Sequence, residues 1–409
     1  MNKTNDNNRP HIGSHEWQLL IATACIQIDA DRKTEISRLV KTDIDWDTLI
    51  SQSMIHGTAG LLLRHLSSLQ PEAGVPKDVI GRLSVFYLNI TAANLKQMAE
   101  FQKAADAFAE AGVELMLLKG AALAESLYGD IGLRPMSDVD VIIGEENWPK
   151  VCKVLKDLKY QPVEQDFSPL PPKLTRYDVQ AHVQCVSPVD TCLEFQFDLF
   201  TMGIGMLDME GVWERSRQVV ISGRAVHVPG REDQLLHLLV HANRHGCARL
   251  KWLVDIAEYV RQDEVVDWNL LERIARREKV TAVIYMTIRH IERLLDVKLA
   301  PEAAMKRMKP RKLQRVVWNY LWPPEQVAEF KGRYEDGICY YFYRPFSGWN
   351  ILNFVLVGRM SDKMAYQARW IAPSLSWMAE TYGLPKSLKL LKYYPKRLGS
   401  RSRKNIKTH

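Results

Sequence analysis

The stretch LLKGAALAESLYGDIGLRPMSDVDVIIG, residues 117–144, decides the fold. It joins two short apolar runs, at 113–118 and 139–143, through a turn and a predicted helix at about 120–128. Short runs bounded by Gly, Pro and Asp are typical of strands. Further runs of this kind follow at 177–186 and 191–200, and a second helix is predicted at about 147–157. This alternation predicts an α/β core.

Two carboxylates stand at the start of the second run. Asp138 and Asp140 are two residues apart, and residues at i and i+2 of a strand project to the same face. They can therefore share a metal ion while Val139 and Val141 face the core. The alternative is a turn, since Ser-Asp before a strand is common loop chemistry.

A third carboxylate lies on an alternating strand. In LEFQFDL, residues 193–199, the apolar residues form one face and Glu194, Gln196 and Asp198 the other. The run before it places His182 on its polar side, and the short connection at 187–190 predicts a hairpin. Three gathered carboxylates suit Mg²⁺. The alternative is an ordinary half-exposed antiparallel sheet.

The turn before the first helix contains Lys119 and Gly120. A glycine at a strand-to-helix turn lets the backbone approach a phosphate, the helix N-terminus offers N–H groups, and the lysine adds positive charge. The P-loop pattern GxxxxGK[ST] is absent from this turn. A lone Lys-Gly pair can also be only a turn.

Three histidines recur every four residues in LLHLLVHANRHG, at His237, His241 and His245. This spacing drifts by about 40° per step on a helix, so two of them share a site more readily than three. Zinc binding, the lining of a substrate cleft and packing in the core all remain open interpretations. Asp255 on the next helix either orients an imidazole or is a solvated acid.

Taken together, these motifs resemble the DNA polymerase β-like nucleotidyltransferase superfamily. The closest resemblance is to a bacterial branch with the pattern LKG, a helix ending in Tyr, Arg-x-x-x-Asp-x-Asp, an acid-bearing strand and a histidine-rich helix. The resemblance covers roughly residues 95–265. It implies an α+β fold in which a polymerase β-like core, a small mixed sheet with flanking helices, lies between a helical N-terminal unit and a helical C-terminal region.

The resemblance also implies roles for individual residues. Asp138 and Asp140 match the metal-binding pair, and Glu194 matches the third carboxylate, which often activates the acceptor hydroxyl. The metal would be two Mg²⁺ ions, or Mn²⁺. The remaining residues are implied as contacts to the nucleotide phosphates (Lys119, Gly120, Arg134) or as lining of the substrate cleft (His182, Gln196, His241, His245, Asp255).

The chain departs from the common pattern at some of these positions. Lys-Gly-Ala, starting at Lys119, replaces the superfamily's Gly-Ser phosphate-binding turn, and Gln196 stands where this branch often has His. Arg134, which precedes Pro135, either neutralises charge on the transferred group or braces the loop.

The chain of 409 residues is long enough for several packed units. The predicted units are a disordered N-terminus (1–14), a helical N-terminal unit (15–110), the nucleotidyltransferase α/β core (111–230), a helical substrate-side domain (231–310), an aromatic-rich helical or irregular region (311–385) and a basic tail (386–409).

The net charge of +7 is concentrated in the tail, which has nine Lys or Arg residues and no acid. The rest of the chain is near neutral, which argues against a basic nucleic-acid-binding surface over the whole body. The tail fits contact with a membrane surface, contact with RNA, or a solvated terminus. The six scattered cysteines form no CxxC pair, and the sequence indicates no signal peptide and no transmembrane segment. A cytoplasmic protein, with peripheral membrane contact as an option, is predicted.

The predicted reaction is transfer of a nucleoside monophosphate from a nucleoside triphosphate to an unidentified hydroxyl or phosphate acceptor. Polysaccharide or specialised-metabolite biosynthesis is the expected context, because members of this branch are often found there. Two alternatives stand beside it. One is a catalytically degenerate nucleotide-binding or scaffold protein, and the other is a toxin-like transferase that modifies protein or tRNA.

Overall fold

The computed structural model describes residues 13–69, 74–163, 182–200, 207–262 and 264–321, together with residues 327, 375 and 387–393. The helices in these segments are α1 (His15–Ala22), α2 (Ala30–Val40), α3 (Trp46–His56), α4 (Ala59–Ser68), α5 (Lys77–Glu110), α6 (Lys119–Ser126), α7 (Trp148–Asp157), α8 (Met209–Glu214), α9 (Arg231–Arg244), α10 (Leu250–Arg261), α11 (Trp268–Arg277), α12 (Thr281–Leu295), α13 (Glu302–Met308) and α14 (Lys312–Leu321). The strands are β1 (Met116–Leu117), β2 (Val139–Ile142), β3 (Gln161–Pro162), β4 (His182–Val186), β5 (Cys192–Gln196), β6 (Arg217–Ile221) and β7 (Arg224–Val228).

All seven strands form one mixed sheet in the order β3-β4-β5-β2-β1-β7-β6. The pairs β2–β5 and β1–β7 are parallel, and the other neighbours are antiparallel. A small mixed sheet with flanking helices confirms the predicted fold class.

The predicted strands that fall on described residues are confirmed, although β1 is only two residues long. The predicted hairpin β4–β5 turns through Ser187, whose N–H and hydroxyl both bond to Thr191. The hairpin β6–β7 was not predicted. Its turn residues Ser222 and Gly223 both have positive φ, 50° and 80°, as a type I′ turn requires.

Helices α5 and α7 cover one face of the sheet. Their buried side chains, among them Phe108 and Trp148, pack against Val139, Val141 and Phe195. Phe195 makes edge-to-face contacts with both aromatic rings at centroid distances of 5.8 Å. This apolar contact fixes which side of β2 and β5 is buried, and it turns the acidic residues between these positions to the other side.

The opposite face of the sheet meets the N-terminal and C-terminal helices together. One hydrophobic cluster contains Leu49 of α3, Met116 of β1, Leu239 of α9, Val254 of α10 and Ile288 of α12. Segments far apart in the chain therefore share one core around the sheet. The domain boundaries given above stay a prediction.

Several predicted regions fall largely outside the described residues. These are the N-terminus before residue 13, the residues 177–181 of the β4 run, most of the aromatic-rich region and most of the basic tail, of which residues 387–393 are described. Within the described residues, none of the helices has the length and apolar character needed to cross a bilayer.

Candidate active site

The three predicted carboxylates meet on the sheet face opposite α5 and α7. Asp140 and Glu194 are register partners in the parallel pair β2–β5, and Asp138 directly precedes β2. One ligand oxygen from each lies within 4.8 Å of the others. We call Asp138, Asp140 and Glu194 the acidic triad. The prediction that strand alternation gathers these side chains is confirmed.

Two glutamine amides hold Asp140 and Glu194 of the triad in place. Gln196 Nε2 donates to Asp140 Oδ1 and to Glu194 Oε1, both at 2.8 Å, and Gln184 Nε2 donates to Glu194 Oε2 at 2.7 Å. Gln196 is 2% exposed, so its position is set by packing. The structure thus gives Gln196 a place at the site, where it orients two carboxylates.

Lys119 supplies the nearest positive charge. Its Nζ lies 2.9 Å from Asp140 Oδ1, and both side chains are largely buried. Burial raises the pKa of Asp140 to about 7; Lys119 opposes this shift, and the charges of Asp138 and Glu194 add to it. At neutral pH a proton therefore occupies the Asp140 carboxylate part of the time. A divalent cation would compete with that proton.

Helix α5 fixes the loop that leads to Asp138. Asn94 is fully buried, and its Nδ2 donates to the carbonyls of Ile131 and Arg134 at 2.6 and 2.9 Å. One turn later, Gln97 Nε2 donates to Ser137 O at 2.8 Å. Neither amide was singled out from the sequence. Their i, i+3 spacing within a helix is the signal that two polar side chains share one face.

Arg134 forms a buried ion pair with Asp255. Its Nε and Nη2 donate to the two carboxylate oxygens at 2.8 and 2.7 Å, and Tyr128 OH donates to Asp255 Oδ1 at 2.7 Å. Asp255 is 1% exposed, so its interpretation as a solvated acid is wrong. Of the two roles predicted for Arg134, the structure shows the brace, which joins the loop before Asp138 to α10. Contact between Arg134 and a nucleotide phosphate stays a prediction.

Gly120 lies against this arginine. A Cβ atom at position 120 would stand 2.5 Å from Arg134 Nη1 and 3.2 Å from Met136 Cγ. The predicted reason for this glycine was close approach of the backbone to a phosphate. The structure shows a packing reason as well, since the guanidinium fills the space that a side chain would take.

We expect Gly120→Ala to lower the free energy of unfolding by about 1–3 kcal/mol, because overpacking moves a guanidinium that two hydrogen bonds hold in place. Urea unfolding measures this effect. The matched control is Gly81→Ala in the exposed part of α5, where an added Cβ meets nothing within 4 Å. That change should be neutral or stabilising by up to about 1 kcal/mol. Equal effects of the two substitutions would contradict the packing role of Gly120.

Two of the three histidines, His237 and His241, lie on α9, and His245 directly follows this helix. Burial is the main cause that lowers their pKa values, to about 3 for His237 and well below the usual range for His241 and His245. The rings of His241 and His245 lie 5.3 and 4.9 Å from the Trp252 ring. All three imidazoles are therefore neutral at pH 7.

Among the described residues, the acidic triad is the one group of three or more His, Cys, Asp or Glu side chains whose ligand atoms lie close enough for a metal ion. Within that part of the chain, the histidines form no such group that would support zinc binding. Lining of a substrate cleft by His241 and His245 stays a prediction. His182 pairs with Gln196 across β4–β5, which places its backbone next to the site.

Comparison with known proteins identifies the class. Residues 42–296, more than half of the chain, match the family model described as "Uncharacterised nucleotidyltransferase". The chain belongs to this nucleotidyltransferase family. No curated protein matches it.

Two solved structures are similar to parts of the chain. The antibiotic-resistance factor ANT(2'')-Ia is 13% identical, with a TM-score of 0.34, 47% of this chain covered and 97% of that one. An antigenic nucleotidyltransferase-like protein from Paracoccidioides brasiliensis is 13% identical, with a TM-score of 0.27, 54% of this chain covered and 95% of that one.

Proposed function

We propose that the protein is a metal-dependent nucleotidyltransferase that transfers a nucleoside monophosphate from a nucleoside triphosphate to a hydroxyl or phosphate acceptor. The observation that carries this proposal is the acidic triad, which lies on adjacent parallel strands of a chain that belongs to a nucleotidyltransferase family. Asp138, Asp140 and Glu194 are the proposed catalytic residues.

The residues of the triad fit a divalent cation. All three donors are carboxylates, the ligands that Mg²⁺ and Mn²⁺ prefer, and their oxygens lie within one ion's reach of each other. When bound there, Mg²⁺ supplies charge that stabilises the phosphate oxygens and the leaving pyrophosphate. The stoichiometry of two ions is part of the proposal.

The protein's own residues would position the reactants and hold charge. In the proposed reaction an acceptor oxygen bonds to the α-phosphorus, the bond from that phosphorus to the β-phosphate oxygen breaks, and pyrophosphate leaves. Glu194, oriented by Gln184 and Gln196, is the proposed acceptor of the proton from an attacking hydroxyl. Lys119 Nζ lies 2.9 Å from Asp140 Oδ1, and it would be released to bind a phosphate if a cation were bound by that carboxylate.

Thermal unfolding tests this proposal without knowledge of the acceptor. The wild type and the variant Asp138→Asn/Asp140→Asn are heated with each of the four ribonucleoside triphosphates, with and without Mg²⁺. One nucleotide should raise the unfolding temperature of the wild type by about 3 °C or more at a hundred times its Kd, only with Mg²⁺ and only in the wild type. The absence of any shift would favour the degenerate scaffold instead.

The biological setting rests on the sequence alone. A role in polysaccharide or specialised-metabolite biosynthesis, a protein or tRNA acceptor, cytoplasmic location, and contact of the basic tail with a membrane or RNA all stay predictions. Labelling of a macromolecule in a cell extract by an α-labelled nucleotide would favour the protein or tRNA acceptor over a small molecule.

A further inference from the structure

Lys251 lies in the first turn of α10, next to the loop that carries Asp138. Its Nζ donates to Pro135 O at 3.1 Å. Its aliphatic chain packs over Gly57, where an added Cβ would stand 2.7 Å from Lys251 Cδ. Gly57 has a φ of 71° at the C-terminus of α3, a conformation that favours glycine. The packing and the hydrogen bond together fix the ammonium group at this loop.

Lys251 lies among charged groups of both signs. Arg134, Arg249, Asp255 and Asp138 are the charged groups that act on it. Asp255 already accepts hydrogen bonds from Arg134 on both of its oxygens. Among the described residues Lys251 forms no ion pair. Burial, reinforced by the two arginines, lowers the pKa of Lys251 to about 7. Within the described segments, Lys251 therefore has no carboxylate partner of its own, since Arg134 bonds to both oxygens of Asp255.

The ammonium group of Lys251 contacts the loop that leads to the acidic triad. Pro135 precedes Asp138 by three residues, a separation of at most about 10 Å even for a fully extended chain. The Lys251 residue as a whole is partly exposed. His56, which lies beside Gly57, is buried and neutral because burial lowers its pKa to about 3, so it adds no positive charge near Lys251.

We propose that Lys251 binds a phosphate group of the nucleoside triphosphate beside the acidic triad. This assignment rests on the proposed function and adds a residue to it. The Lys-Gly turn at α6 offers one cation, and Lys119 is engaged with Asp140. Lys251, on a helix from a distant part of the chain, supplies a second one to the triphosphate. A phosphate there would give the Lys251 ammonium group an anionic partner and hold it protonated.

This role has a consequence that separates it from simple packing. Above pH 7 the free protein carries a largely neutral Lys251, and phosphate binding draws a proton onto it. Nucleotide affinity should therefore fall as the pH rises from 7 to 9. In Lys251→Arg the guanidinium is always charged, so affinity should depend less on pH. The difference between the two proteins isolates Lys251, because Asp140 is the same in both.

The test is isothermal titration calorimetry with each of the four ribonucleoside triphosphates and saturating Mg²⁺, at pH 8, in two buffers of different ionisation enthalpy. Lys251→Met should weaken binding about tenfold or more, whereas Lys251→Arg should stay within about threefold of the wild type. The wild type should take up more protons than Lys251→Arg. Lys153→Met, an exposed lysine on α7, is the matched control and should bind as the wild type does. Thermal unfolding checks that each variant folds.

Three results overturn the assignment, in distinguishable ways. If Lys251→Met binds the nucleotide with wild-type affinity while Asp138→Asn/Asp140→Asn loses it, the role of Lys251 is wrong and the proposed function stands. If the wild type binds none of the four nucleotides, both are wrong. Equal proton uptake by the wild type and Lys251→Arg also contradicts phosphate contact at this lysine.

Discussion

Replacing both Asp138 and Asp140 by asparagine should weaken Mn²⁺ binding about a hundredfold or more. The two substitutions remove two of the three anionic ligands of the acidic triad, and amide oxygens are poor substitutes for carboxylates around a small divalent cation. Electron paramagnetic resonance measures free Mn²⁺ directly, so the experiment needs neither nucleotide nor acceptor.

The pH dependence of this binding follows from Asp140. Because burial and the neighbouring carboxylates raise the pKa of Asp140 to about 7, a proton occupies the site in more acidic solution and must leave before the metal binds. Mn²⁺ affinity should fall about tenfold per pH unit below pH 7 and level off above it. A flat profile between pH 5.5 and 7 would contradict the buried triad as the binding site.

The matched control removes two acids that lie just beyond β2. Glu145 and Glu146 are exposed in the short turn before α7. Glu145→Gln/Glu146→Gln makes the same change in net charge as the double aspartate variant and should leave Mn²⁺ affinity unchanged. If both variants bind Mn²⁺ equally, the metal site does not lie at the triad.

Arg134→Ala should lower the free energy of unfolding by about 3–5 kcal/mol, because it leaves the Asp255 carboxylate buried without its cation. The two side chains are 5% and 1% exposed, so solvent cannot replace the lost partner. Urea unfolding monitored by tryptophan fluorescence measures the change.

An exposed ion pair is the control for this prediction. Arg82 and Asp47 are 47% and 81% exposed, and Arg82→Ala should cost no more than about 1 kcal/mol. Arg134→Met/Asp255→Leu, which removes both buried charges, should recover much of the stability lost in Arg134→Ala. A cost below about 1 kcal/mol for Arg134→Ala would show that this pair does not brace the loop to α10.

The acidic triad could be predicted because the signal for it is local. Strand alternation puts Asp138 and Asp140 on one face, and the same rule puts Glu194 and Gln196 together on another strand. The register of β2 against β5 then brings the two strands' carboxylates together, since Asp140 and Glu194 pair directly in the sheet. Because the backbone of a strand is regular, the sequence spacing alone fixes the face from which each of these side chains projects.

The roles that the sequence leaves open or does not indicate depend on contacts between distant segments. The partner of Arg134 lies 121 residues away on α10, and no spacing rule connects them. Lys251 and Asp255 lie on one face of α10, four residues apart, but the sequence of that helix does not predict the loop against which it packs. Only the shared core of the N-terminal and C-terminal helices brings these groups to the sheet.

The hairpin β6–β7 was missed although its sequence carries a local signal. Its sequence RQVVISGRAVHV has two runs rich in β-branched residues around Ser222-Gly223, which is a recognised hairpin signal. The segment adds the two strands at one edge of the sheet, beside β1.

The most direct test of nucleotidyl transfer follows the label from two positions of the same nucleotide. Wild type and Asp138→Asn/Asp140→Asn are incubated with Mg²⁺, a bacterial cell extract as the source of acceptor, and each nucleoside triphosphate labelled at either the α- or the γ-phosphate. The proposal predicts that wild type moves α-label into a product, releases γ-label as pyrophosphate, and that the variant does neither. Transfer of γ-label to the product, or equal α-labelling by the variant, would contradict it.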